Sequence, residues 1–389
     1  MHWFGRTALL RAAIFLLSAT LSLIAAEGIA RIVAPRSMSY PWVDHLNSMV
    51  VPLPNVHGRH FVPGSYDTSF SFSAQRFRGQ QLYTPEPSPG TIRIAMLGSS
   101  STFGSGANDV ETYPVQLQSI LQEQAKQDGS HLTFEVINAG IPGTVVAEQA
   151  LWYDTWVKRF HPQIVVLNIA CAVDFVTGVF IMDDKGRLMP RPPNQLQAAS
   201  KASKSVGHLV KSMPGYIFLS EHSELFNLLV LKLGGVFRQQ QNVALADNLA
   251  LEADGGPAAE QKRALSLESA EVMWLKEQAE QSGGRLVVIV VPCRENIYTS
   301  ESPQANEIRR EFADVVNVLH DITAKAKVPF ADLAPRLRPA ATQSPQLLYY
   351  DGRFETHPTP AGYWVIADEV ARFLRQAGIV PTYGDSSTP

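Results

Sequence analysis

The 389-residue chain is poor in cysteine and in charge. Its two cysteines, Cys171 and Cys293, are too few for a disulfide scaffold or a cysteine-ligated zinc site, and neither lies in a CxxC pair. Charged residues make up 18% of the chain, and 33 basic against 36 acidic side chains leave a formal net charge of −3. That balance carries no electrostatic footprint for nucleic acid. No unit of about 20 to 50 residues repeats. No lysine completes a GK[ST] phosphate loop, and His57 and His60 lack a carboxylate at metal-ligand spacing, so no metal site is expected. A hydrophobic content of 45% excludes a disordered chain.

What the chain does have, at its amino end, is an uncharged apolar run. Residues 12–26 (AAIFLLSATLSLIAA) follow Arg6 and Arg11 and precede Glu27 and Arg31. The run falls between a signal-peptide core and the roughly 20 residues of a full span, and adding Ala8 to Leu10, with Arg11 snorkelling, brings it close to spanning length. No small-x-small cleavage site follows, because Leu23 or Ile24 would stand three residues before the cut. An uncleaved signal anchor over residues 1–34 is therefore favoured over a cleaved signal peptide, with the amino terminus in the cytoplasm and the rest across the membrane.

Residues 35–90 are rich in Pro, Ser, Gly and aromatics and read as an extended connecting segment closed by PEPSPG. After it, short apolar runs alternate with helical periodicity. The runs are Ile92 to Leu97, Leu132 to Asn138, Ile164 to Ala170, Leu286 to Val291 and the weaker Val328 to Asp332. The helical stretches lie near 111–126, 144–160, 260–281, 302–326 and 360–377. This pattern predicts an α/β domain over 91–380, with a parallel sheet covered on both faces and a short tail at 381–389. One insertion, about 182–257, has no predicted strand but two helical candidates, 194–212 and 216–239. It serves either as a lid or as an extra helical layer.

In such sheets ligands bind at the carboxyl ends of strands. The first strand leads into Gly98-Ser99-Ser100-Ser101-Thr102-Phe103-Gly104, the second into Asn138-Ala139-Gly140-Ile141-Pro142-Gly143-Thr144, and the third into Cys171-Ala172-Val173-Asp174. Near the carboxyl end stands Tyr350-Asp351-Gly352-Arg353-Phe354-Glu355-Thr356-His357-Pro358-Thr359-Pro360-Ala361-Gly362-Tyr363. A serine in the turn between strand and helix can act as a nucleophile that shares its own amide with an oxyanion, or it can simply cap the helix.

These blocks, in this order, resemble those of the SGNH (GDSL-type) hydrolases over most of residues 91–377, with Ala331-Asp332-Leu333 included. The resemblance implies a three-layer, flavodoxin-like parallel sheet and a Ser-His-acid triad that needs neither cofactor nor metal. Carried over residue by residue, Ser100 is the nucleophile, with Ser101 as its rival, and His357 is the base. The amides of Ser100 and Gly143 form the oxyanion hole. The family's usual acid position holds Phe354. Glu355 is the expected acid, by similarity to the acid-x-His variant of bacterial polysaccharide acetylation proteins, and Asp351 is the fallback. Val173 stands where the family has an asparagine donor, which leaves Asn168, Thr144 or Asn138 to substitute, and Asp174 is either a supporting group or a helix cap.

The resemblance further implies a serine esterase acting on acyl esters of carbohydrate or envelope material. A polysaccharide O-acyltransferase and a non-catalytic glycan-binding scaffold are the alternatives. The expected setting is a bacterial inner membrane crossed once, with the catalytic domain in the periplasm or outside the cell. Cys171 and Cys293 follow strand ends expected to be neighbours, and they form either one disulfide or two small buried hydrophobes.

Overall fold

The computed structural model describes residues 3–33, 43–46, 49–62, 64–170, 180–182, 188–190, 213–230, 256–298, 302–351 and 357–381. The amino-terminal α1 (Trp3–Val33) is one uninterrupted helix. Its apolar-dominated stretch Leu10–Ile32 spans 23 residues and is almost wholly exposed, with Ala30 buried near its end. At about 1.5 Å per residue it is long enough to cross a bilayer core of about 30 Å.

Residues 35–90 are not a plain connector. They contain two antiparallel hairpins, β1 (Val43–Leu46) with β2 (Met49–Pro52), and β3 (Val56–Val62) with β4 (Tyr66–Phe72). Along β4, Tyr66, Thr68, Phe70 and Phe72 are buried while Asp67 and Ser69 face water, the period of a strand with one face on a core. The PEPSPG stretch is also fixed to the domain. The Tyr83 hydroxyl donates to Val136 O at 3.0 Å. The fully buried Arg93 donates to Thr84 O at 2.8 Å and Pro85 O at 3.0 Å while pairing with Glu135 at 2.7 Å.

From Thr91 the predicted alternation appears. The elements are β5 (Thr91–Gly98), the one-turn α2 (Ser100–Phe103), α3 (Tyr113–Gln127), β6 (Thr133–Asn138), α4 (Val146–Thr155) and β7 (Ile164–Ala170). The insertion then contributes β8 (Phe180–Met182), β9 (Leu188–Pro190) and α5 (Tyr216–His222). The chain continues as α6 (Gly256–Gln281), β10 (Arg285–Val291), α7 (Arg294–Ile297), α8 (Pro303–Ala326), β11 (Phe330–Asp332), α9 (Ala334–Gln343) and α10 (Pro360–Gln376). Five strands form a wholly parallel sheet in the spatial order β11-β10-β7-β5-β6. Counted along the chain, this is the 2-1-3-4-5 order of flavodoxin-like sheets. The chain leaves β5 in one direction and returns from β6 in the other, so right-handed crossovers place α3 on one face and α4, α6 and α8 on the other. Accordingly, α3 packs with α10, and α4 packs with α6. Ile94 to Leu97, Val165 to Leu167 and Val287 to Val290 are completely buried, which is why these strands read as continuous apolar runs rather than alternating ones.

The insertion differs from its sequence reading. Residues 182–257 do contain a strand, β9, because the short β8 and β9 pair as a hairpin too brief to show a periodicity. The helical candidate at 216–239 is broken: α5 ends at His222 and a second helical stretch covers 224–230. The candidate at 194–212 and residues 231–239 lie outside the described residues. The register of β7 and β10 pairs Ala170 with Val291, two residues before Cys293. Cys293 is disulfide-bonded, and the chain's only other cysteine is Cys171, itself outside the described residues. In the oxidised protein a thiol reagent should therefore titrate no cysteine, even after denaturation, until reductant exposes both. Free thiols in the denatured, unreduced protein would contradict the bond.

Candidate active site

Ser100 and His357, the candidate site residues, meet where the strand order reverses, between β5 and β7, the position at which doubly wound sheets bind ligands. There the chain leaves β5 and turns at once into α2. His357 Nε2 lies 2.7 Å from Ser100 Oγ, so the first and last sequence blocks, 257 residues apart, meet in one hydrogen bond. His357 is held by its backbone: its carbonyl accepts from Tyr350 N at 3.0 Å, beside the bridge between Tyr349 and Pro358. Thr359 then caps α10, its hydroxyl accepting from Gly362 N at 3.2 Å and donating to Leu347 O at 2.6 Å. One turn on, the Tyr363 hydroxyl donates to Ser105 O at 2.9 Å and ties the histidine block to the serine turn.

The Asn138 to Gly143 loop lies beside that turn. Ile141 N donates to Gly98 O at 3.0 Å, which brings the loop past the end of β5. Gly143 has φ +74 and would present a Cβ to open space. The left-handed backbone there favours glycine, and the space beside it is open. Close approach belongs to Gly140, where a Cβ would collide with Thr102 C and Phe103 N of α2.

The three polar residues expected to supply a side-chain donor in place of Val173 are engaged elsewhere. Asn138 donates to Phe103 O at 3.3 Å, and Thr144 donates to Ile141 O at 2.7 Å. Asn168 donates to Thr102 Oγ1 at 3.0 Å and accepts from Val291 N at 3.3 Å, linking β7, α2 and β10. Thr102 also meets the Tyr113 hydroxyl at 2.9 Å, and burial pushes the Tyr113 phenol up, keeping it a neutral partner. Asp351, the fallback acid, accepts from Arg294 at 2.6 Å and is 67% exposed, so it is committed to an ion pair rather than to His357. Glu355, Phe354, Val173 and Asp174 lie outside the described residues. Ser101 is partly buried in the first turn of α2, and it is Ser100 that meets the histidine.

Residues 252–387 match the family described as "SGNH hydrolase-like domain, acetyltransferase AlgX". That stretch is similar to an SGNH hydrolase-like domain. The matched stretch contains the His357 block, whereas Ser100 and Gly143 lie upstream of it. Two solved structures are similar at low identity. A catalytic mutant of an acetylxylan esterase from Geobacillus stearothermophilus is 11% identical, with a TM-score of 0.39, over 73% of this chain and 94% of its own. The acetyl xylan esterase AlAXEase is 13% identical, with a TM-score of 0.38, over 74% of this chain and 100% of its own. Comparison with curated proteins found no match.

One residue of this site had no motif to announce it. Arg78 has a side chain only 1% exposed, and burial pulls its pKa down. Its guanidinium donates to Phe103 O at 3.1 Å, Gly104 O at 3.4 Å and Ala107 O at 2.7 Å, pairs with Asp109 at 2.7 Å, and lies 4.1 Å from the Phe103 ring centroid. Asp109 in turn accepts from Ser71 N at 3.1 Å, so Arg78 and β4 clamp the serine turn from the hairpin side. Phe70 and Phe72 complete the clamp, each with its ring centroid 5.7 Å from that of Phe103. His60 is buried in the same aromatic cluster and His57 faces water. Removing one partner of a buried ion pair costs about 3 kcal/mol or more. Arg78→Ala should lower the urea midpoint by that free energy without a change in m, and a loss below about 1 kcal/mol would contradict the clamp.

Proposed function

We propose that the protein is an extracytoplasmic enzyme that accepts an acyl group from an ester onto Ser100 Oγ. The observation that carries this reading is the 2.7 Å hydrogen bond between Ser100 Oγ and His357 Nε2 at the topological switch point. As the oxygen attacks the ester carbonyl, its proton passes to Nε2. His357 then returns the proton to the departing alkoxide, leaving an acyl-serine. Glu355, two residues before His357, is the carboxylate proposed to fix the tautomer and stabilise the imidazolium.

The Ser100 and Gly143 amides are proposed to receive the oxyanion. Among the described residues Asn138, Asn168 and Thr144 donate elsewhere, so the proposed hole is drawn on backbone donors. A missing side-chain donor costs about 3 to 4 kcal/mol in the transition state, so turnover of simple esters should be slow. The acyl-serine can be resolved by water or by a sugar hydroxyl. Likeness to a family described as an acetyltransferase favours transfer of acetyl to or from carbohydrate as the natural reaction, with esterase activity as its water-terminated form. Three departures from the motif, Ser99 where the family has Asp, Val173 and Phe354, motivate a non-catalytic scaffold instead, and the formed Ser100–His357 pair weighs against it.

The apolar α1 and the bonded Cys293 support a domain held outside the cytoplasm on a membrane anchor. Ser100→Ala should reduce hydrolysis of an aryl acetate by about 10³-fold or more while leaving the unfolding midpoint in place. Retained activity would overturn the assignment. Appearance of acetyl on an oligosaccharide acceptor, in place of free acetate, would separate transfer from hydrolysis.

A further inference from the structure

The broken helix of the insertion is fastened to the end of α1. Glu27 Oε1 accepts from Glu224 N at 3.0 Å, and Oε2 accepts from Leu225 N at 3.1 Å and Ser223 Oγ at 2.7 Å. These are among the first N–H groups of the 224–230 helix, which have no partner within their own helix. One turn along α1, Arg31 donates to Glu27 at 2.8 Å and to His222 O at 2.9 Å, taking a free carbonyl at the end of α5. A single acid-base pair on α1 thus satisfies both helix ends at the break, where Ser223 has extended backbone.

Glu27 is the first charged residue after the uncharged run 12–26, so the junction lies in the last turns of the Leu10–Ile32 stretch. In the docked segment Tyr216 is buried and His222 faces water, but several other side chains show the reverse of a water-facing pattern. Ser220 and Asn227 are 4% and 5% exposed, and Asn227 donates to Ser220 O at 2.8 Å. Phe218 and Leu229 are 61% and 53% exposed, and Met213 and Leu219 are exposed with them. Apolar side chains turned outward beside the end of a membrane span, with polar ones turned inward, describe a segment that lies in the membrane interface.

We propose that residues 213–230 are a second membrane contact. The Glu27–Arg31 pair holds them at the outer end of α1, and Phe218, Leu219 and Leu229 sink into the boundary between headgroups and acyl chains. The occupant of this face is lipid: its apolar surface continues that of α1, which the same hydrogen bonds join to it. The insertion leaves the sheet at the carboxyl end of β7, so the contact would hold the active-site end of the domain near the bilayer. The proposal rests on the reading of α1 as an anchor.

The test uses the full chain reconstituted in phosphatidylcholine vesicles with some phosphatidylglycerol and lipid-borne nitroxide quenchers. A polarity-sensitive fluorophore is placed on one added cysteine at a time, through Leu16→Cys, Phe218→Cys, Leu229→Cys or Val110→Cys. Fluorescence at 218 and 229 should fall at least about twofold with a nitroxide near the headgroup, and at 16 with a deep one, while position 110 stays unquenched. Adding Glu27→Ala should relieve quenching at 218 and leave it at 16. Quenching at 16 with none at 218 and 229 would overturn the interfacial contact and leave the anchor standing. Shielding of 218 from aqueous iodide without lipid quenching would mean a protein covers the face, and would also overturn it. Unchanged quenching at 218 in Glu27→Ala would overturn the docking role of Glu27. Loss of quenching at 16 would instead show that the anchor reading itself had failed.

Discussion

A four-residue helix cannot hold its own shape, and Ser100, the proposed nucleophile, begins one. One turn closes too few hydrogen bonds to offset the conformational entropy it fixes, and its carbonyls are left without partners. The surrounding structure supplies them. Arg78 takes the carbonyls of Phe103, Gly104 and Ala107, Asn138 shares that of Phe103, and Tyr363 takes that of Ser105. Asn168 holds the Thr102 side chain. The residues that hold this turn come from the hairpin segment, β6, β7 and α10, so the placement of Ser100 depends on the whole domain being folded.

This dependence explains which parts of the site were legible in the sequence. The central strands β5, β7 and β10 read as apolar runs because both faces are buried, and the ends of all five strands fall within a residue or two of the predicted runs. Ser100 and His357 were legible because each sits in a local block whose neighbours have local work, such as Thr359 capping α10. Arg78 was not, because its role is set by carbonyls 25 to 29 residues away. Nor could the sequence say where an amide points. Asn138 and Asn168 stand at strand ends near the serine, as expected, yet their side chains bind the scaffold. The hairpin segment did carry a signal: the alternating YDTSFSF of β4 is a strand pattern, obscured by the Pro and Gly around it.

The same principle extends to the membrane side. In the insertion, the break between its two short helices is held by Glu27 and Arg31 on α1. The apolar α1 and the insertion are thereby joined, and the bonded Cys293, which follows β10, suits an oxidising compartment. Each part of the chain that read as accessory from sequence, the connector, the insertion and the anchor, contributes contacts that position another part.

The central claim is that Ser100 is a nucleophile activated by His357. Mass spectrometry of the folded protein after reaction with a fluorophosphonate tests it most directly, because covalent capture needs an activated serine and not merely an exposed one. The account predicts a single adduct on Ser100 that disappears in His357→Ala. An unlabelled folded protein, or labelling of Ser101 in place of Ser100, would contradict it.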